Sequence, residues 1–154
     1  NSCATNTTDP GMPTPTYPLC WTTGTSNSVW YSFVAPSTSV NIVTTLGTLS
    51  NTQIALYSGT FCFSLIPFGS PTQLCNNDYL QCGVNTLASQ IIATGLAPGH
   101  TYYIMLDGVQ NLTGTFGITV YNAGTPLPTI PQQDCQAATV ICSPTTTFGA
   151  PGFL

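Results

Sequence analysis

Two stretches, Val29-Trp-Tyr-Ser-Phe-Val34 and Thr101-Tyr-Tyr-Ile-Met-Leu106, decide the fold class. In the first, Trp30, Ser32 and Val34 alternate with Tyr31 and Phe33; in the second, Tyr102, Ile104 and Leu106 alternate with Tyr103 and Met105. A period of two marks a strand, because successive side chains leave the backbone on opposite sides. Both sides are apolar here, so the spacing predicts strands packed against a second sheet on one face and covered on the other.

Working outward, β-prone runs at 40–46, 53–57, 73–76, 89–96 and 115–121, with an irregular strand at 64–68, bring the expected total to about eight. Pro36-Ser37, Ser58-Gly59, Pro98-Gly99 and Asp107-Gly108 supply the backbone angles that reversals between them need. No window carries a helical period. The expectation is an all-β chain: a two-sheet antiparallel sandwich of jelly-roll type with loop-rich N- and C-terminal extensions.

A chain of 154 residues has room for one well-buried core. Residues 1–25 read as a Cys-bracketed loop segment in which Pro10, Pro13, Pro15 and Pro18 forbid a helix. The sandwich spans 26–123. A Pro-rich linker follows at 124–133, extended at about 3.1 Å per residue if polyproline-like. Residues 134–154 are too few to own a core and are expected to begin the next repeat unit or to pack on a neighbouring module. The start at Asn1 rather than Met reads as a mature segment of something longer.

Charged residues make up 3% of the chain, against roughly 25% in ordinary soluble domains, and Lys, Arg and Glu do not occur. Without cations the chain cannot neutralise phosphates or be drawn to an anionic bilayer, so nucleic acid and direct membrane insertion are set aside as partners. The net charge of -4 rests on Asp9, Asp78, Asp107 and Asp134. That gives weak self-repulsion, which suits packed assemblies. With no Lys, isopeptide cross-links are out of reach and covalent ties must be disulfides.

Seven cysteines, Cys3, Cys20, Cys62, Cys75, Cys82, Cys135 and Cys142, occur with no CxxC and a lone His100, a poor zinc set. An oxidising, extracellular or cell-surface location is the better reading. An odd number leaves at least one cysteine without a partner in the chain. If 135–142 were helical its ends would lie about 10.5 Å apart, beyond the roughly 7 Å that a bridge spans. The expectation is that this tail reaches Cys3 or Cys20 of a following module, while Cys62 bridges Cys75 or Cys82 locally.

Asn27-Ser-Val-Trp-Tyr-Ser-Phe33 with Ala35-Pro36, Thr52-Gln-Ile-Ala-Leu-Tyr-Ser-Gly59, Cys75-Asn-Asn-Asp78, Leu96-Ala-Pro-Gly-His-Thr-Tyr-Tyr-Ile104, Asp107-Gly108 and Gly114-Thr-Phe-Gly-Ile-Thr-Val120 occur in that order. Together they resemble the bacterial pre-peptidase C-terminal-like β-sandwich. Asp134-Cys-Gln-Ala-Ala-Thr-Val-Ile-Cys142 resembles the opening of repeat units in large surface proteins exported by the type IX system of Bacteroidota, gliding-motility adhesins among them. The resemblance implies a non-catalytic module for display, adhesion or appendage building, with calcium bound in some relatives.

For calcium the candidates are Asp78, Asn76 and Asn77, whose carboxylate and amide oxygens are hard ligands. The resemblance implies an Asn-Asp-Asp turn there and an Asp-Thr at 51–52. This chain carries Asn77 and Asn51 at the weakened positions. An Asx-turn explains the motif equally well. Asp107 suits a hairpin acceptor or a cation ligand. Phe61, Phe63 and Tyr79, near loops, are the candidates for stacking on a surface glycan, whereas Trp21, Trp30, Tyr31, Tyr102 and Tyr103 read as core. Asn6-Thr-Thr8 and Asn111-Leu-Thr113 match the glycosylation pattern.

Four scattered Asp and no G-x-S-x-G elbow offer neither a nucleophilic triad nor a placed carboxyl pair, so no enzyme is expected and no cofactor is required. The expected function is a structural or adhesive repeat of an extracellular surface protein or filament, its partners being neighbouring copies or modules. The alternative is a carbohydrate- or calcium-binding accessory module of a secreted hydrolase.

Overall fold

The computed structural model of the chain describes residues 18, 20–21, 24–60, 65–69, 74–81 and 84–123. Its strands are β1 (Val29–Val34), β2 (Ser39–Leu46), β3 (Thr52–Ser58), β4 (Ile66–Pro67), β5 (Cys75–Asn76), β6 (Leu80–Gln81), β7 (Val84–Asn85), β8 (Gln90–Thr94), β9 (Thr101–Gly108) and β10 (Phe116–Asn122). One sheet runs β1-β9-β3-β4 with β5 also on β3, the other runs β10-β2-β8, and β6 pairs with β7 in a separate hairpin. Every pairing is antiparallel. The chain is an all-β, two-sheet sandwich.

Strand parity builds the core. In β3, Ile54 and Leu56 face the second sheet; in β9, Tyr102, Ile104 and Leu106 do the same; β2 and β8 answer with Val40, Ile42, Ile91 and Ala93. The opposite parity of β3 and β9 supplies a second cluster, in which Ala55, Tyr57 and Met105 pack with Leu65 and Trp21. Strand β3 is therefore buried on both faces from Thr52 to Tyr57.

The cover over that outer face is Trp21, whose N–H donates to the carbonyl of Pro18 at 2.9 Å. Trp21 is 3% exposed and its indole Nε1 donates to the carbonyl of Ile54 at 3.1 Å. Cys20 is disulfide-bonded to Cys75, with Cα atoms 6.0 Å apart. This corrects one arm of each of two expectations: Cys20 is not available to the tail of another module, where Cys3 was the alternative, and Cys75 is not the partner of Cys62, where Cys82 was the alternative. The reason is the sheet itself: β5 sets Cys75 opposite Ala55, on the face that Trp21 covers, so the cysteine preceding Trp21 meets it. Residues 1–17 and 124–154, with Cys3, Cys62, Cys82, Cys135 and Cys142, lie outside the described residues.

Boundaries differ from expectation where hydrogen bonds compete with local signals. Among the described residues, the run expected at 73–76 is strand at Cys75–Asn76 and that at 64–68 is strand at Ile66–Pro67. The β6–β7 hairpin had no apolar alternation to announce it. Asp107-Gly108 does not form a reversal: both residues close β9, and the chain turns one step later in a 3-10 turn at Val109–Asn111, with Gln110 and Asn111 at φ 54° and 65°. Gly108 is needed because a Cβ there would run into the carbonyl of Leu112. The Pro98-Gly99 reversal forms as expected, with Gly99 at φ 83°.

The Cys20–Cys75 bridge closes a segment of 55 residues, worth about 4 kcal/mol in the chain-entropy picture. The double variant Cys20→Ser, Cys75→Ser is expected to lose about 2–4 kcal/mol in urea unfolding. A midpoint equal to that of the parent would show that the bridge does not hold the cover.

Candidate functional site

Polar residues converge at the end of the sandwich where β3 begins and β9 finishes. Gln53 stands directly across from Asp107 in the β3–β9 ladder, both on the outer face. On the other side of β3, Ile54 pairs with Asn76, which brings Asn77 and Asp78 alongside the start of the strand.

Asp107 is fully buried, and it is held by backbone donors. Its Oδ2 accepts from the N–H of Ser26 at 2.6 Å; its Oδ1 accepts from Asn27 at 3.1 Å and from Gly108 at 2.7 Å. A buried carboxylate is tolerated when such charge-assisted bonds replace its water. The result is a clasp that fixes residues 26–27 to the end of β9. Ser26 Oγ adds a hydrogen bond to Oδ1 of Asn111, tying in the 3-10 turn.

Facing inward at the same end is a neutral hydroxyl network that sequence reasoning missed. Thr44, Thr52 and Ser89 are buried. Thr44 Oγ1 lies 2.8 Å from Thr52 Oγ1 and accepts from the N–H of Ser89 at 2.7 Å. Ser89 Oγ lies 2.5 Å from the carbonyl of Thr52 and 2.8 Å from that of Asn77. The available signal was parity: Thr44 follows Ile42 and Thr52 precedes Ile54 on the inward side of their strands. These hydroxyls bond one another and the backbone, with no base among them.

Asn76 is committed to structure as well. Its Oδ1 accepts from the N–H of Gln90 at 2.9 Å and its Nδ2 donates to the carbonyl of Asp78 at 3.2 Å. Tyr79 is half-buried, its N–H donating to the carbonyl of Ala88 at 2.7 Å and its carbonyl accepting from Thr86. Residues 76–79 thus bond to Ala88, Ser89 and Gln90, where the chain enters β8. Phe61 and Phe63 lie outside the described residues, as does Asn6. Asn111 and His100 are exposed.

Calcium asks for six to eight oxygens with several carboxylates among them. The oxygens of Asp107 are taken by N–H groups and that of Asn76 by Gln90, and Asp78 is the one further carboxylate among the described residues. No group of three or more His, Cys, Asp or Glu among the described residues can hold a metal. The donor set fits calcium poorly. Gln53 is the unusual member: it is fully buried, and neither its Oε1 nor its Nε2 has a hydrogen-bond partner.

No protein-family model matches the chain, no curated protein is detectably similar to it, and no solved structure matches its fold. The likeness to the pre-peptidase C-terminal-like sandwich rests on the residues quoted above.

Two substitutions separate the roles. Asp107→Asn sets an amide donor against backbone N–H groups and is expected to cost about 3 kcal/mol of unfolding free energy. Gln53→Met removes a buried amide from an apolar face at similar volume and is expected to stabilise by about 1 kcal/mol in the same urea titration. Destabilisation by Gln53→Met would instead identify a bound water or ion that the amide holds.

Proposed function

We propose that this chain is a structural or adhesive module of an extracellular surface protein or filament, of the kind seen in type IX-exported adhesins, with no catalytic role. The observation that carries this reading is where the polar chemistry is spent. Asp107, Asn76, Thr44, Thr52 and Ser89 each hold strands or loops together, and none of them presents a nucleophile with a positioned base.

Two further features support an exposed, extracellular setting. The Cys20–Cys75 bridge belongs to an oxidising compartment. A surface of Thr, Ser and Asn without Lys or Arg gives trypsin-like proteases no cleavage site. With Cys20 bonded to Cys75, end-to-end stapling by the C-terminal cysteines takes the other expected partner, Cys3 of the next module.

Electron microscopy of the chain in its native parent protein, isolated from the producing cells, tests the reading. Fibres or a surface layer labelled by an antibody to this segment are expected. Recovery as a free soluble species with hydrolytic turnover would overturn it.

A further inference from the structure

The molecule has two apolar layers of different construction. The inner core, between the sheets, is made largely of strand residues: Ile54, Leu56, Ile104 and Leu106 on one side, Val40, Ile42, Ile91 and Ala93 on the other. The outer cluster sets Ala55, Tyr57 and Met105 under Trp21, which precedes β1 and belongs to no strand. Trp21 is held by the packing of its ring, by the hydrogen bond from Nε1 to the carbonyl of Ile54, and by the disulfide of its neighbour Cys20 to Cys75. Burial of one indole and one hydrogen bond are of the same order as the entropy lost in ordering the short segment that carries them. The covalent tie therefore decides whether the cover stays shut.

That tie is within reach of a reductant. Cys20 is exposed and Cys75 half-buried, and exposed disulfides are the labile and regulatory ones, whereas sequestered structural bridges resist reduction. The covered face also gains something by opening. Gln53 has the same outward parity on β3 as Ala55 and Tyr57, is fully buried, and has no hydrogen-bond partner at either amide atom. Water admitted to this face hydrates that amide, which offsets part of the cost of uncovering the apolar side chains. The Asp107 clasp on Ser26 and Asn27 stands between the cover and β1, so release of Trp21 does not have to travel into the sheet.

We propose that the Cys20–Cys75 bridge is a redox latch on the outer face of the five-stranded sheet. A dithiol reductant opens it, Trp21 leaves its site, and Ala55, Tyr57 and Met105 meet water while both sheets remain paired. In the step, a thiolate of the reductant attacks the sulfur of exposed Cys20, the Cys20–Cys75 bond breaks and Cys75 departs as a thiolate. The second thiol of the reductant then displaces Cys20 from the mixed disulfide. The reductant ends as a disulfide, and Cys20 and Cys75 end as thiols that carry its two protons. The inference goes beyond the module reading and does not rest on it.

The test follows hydrogen exchange of the assigned Trp21 indole N–H by NMR in the full chain, alongside the backbone amides. The oxidised parent is compared with the double variant C20S/C75S, which removes this bridge and spares the other cysteines. Indole exchange is expected to rise about a hundredfold in the variant while the amides of β2 and β9 stay protected. Stepwise reduction of the folded parent with dithiothreitol, followed by alkylation and mass spectrometry, is expected to label Cys20 and Cys75 while those amides are still protected. An indole that stays protected in the variant shows that packing alone keeps the cover shut and overturns the proposal. Loss of β2 and β9 protection in step with the indole, in the variant or during reduction, makes the bridge a support of the whole fold and overturns it too. Neither result touches the module reading, which native-source microscopy decides.

Discussion

Strand β3 has no face turned to water, and that burial is the constraint around which the molecule is arranged. One side is met by the second sheet through Ile54 and Leu56. The other side carries Ala55 and Tyr57 and would be an exposed apolar patch without Trp21. The indole covers the patch and brings its N–H to the carbonyl of Ile54, so the cover is bonded as well as apolar. The disulfide from Cys20 to Cys75 ties that cover to the strand beside β3. Residues well outside the central sheet in sequence are thus required to finish it.

The near-absence of charge imposes the second pattern. With no Lys or Arg available, Asp107, the one fully buried carboxylate among the described residues, is stabilised by N–H groups of Ser26, Asn27 and Gly108. Elsewhere the described interior uses the hydroxyls of Thr44, Thr52 and Ser89, which bond to one another and to the backbone without a counter-ion, and the Gln53 amide stands apart from that network. The same economy leaves no Lys to guard an edge strand.

Much of this was legible in the sequence. The alternation in 29–34 and 101–106, apolar on both parities, announced a central sheet needing a cover, and the turn residues placed most reversals. Strands β4 and β5 fall inside the runs expected at 64–68 and 73–76, whereas β6 and β7 were not legible because two-residue pairings have no periodicity to read. Asp107-Gly108 looked like a turn because Asp and Gly have turn preferences, yet tertiary bonds from residues 26 and 27 outweighed them. Cysteine pairing was beyond reach of spacing, since Cys20 and Cys75 meet through sheet register. For the site, the sequence offered Asp78, Asn76 and Asn77 as candidate calcium ligands, while their place alongside the start of β3 and the bond from Asn76 to Gln90 come from sheet register. The buried amide of Gln53 was concealed inside a run that read as ordinary strand.

The central claim is that the N-terminal turn is locked over β3 by a disulfide within one chain. Mass-spectrometric mapping of the oxidised protein under non-reducing conditions tests it most directly. Chymotryptic fragments containing Cys20 and Cys75 are expected as a single linked species within a chain of monomer mass. Cys20 found joined to any other cysteine, in the same chain or in another, would contradict the account.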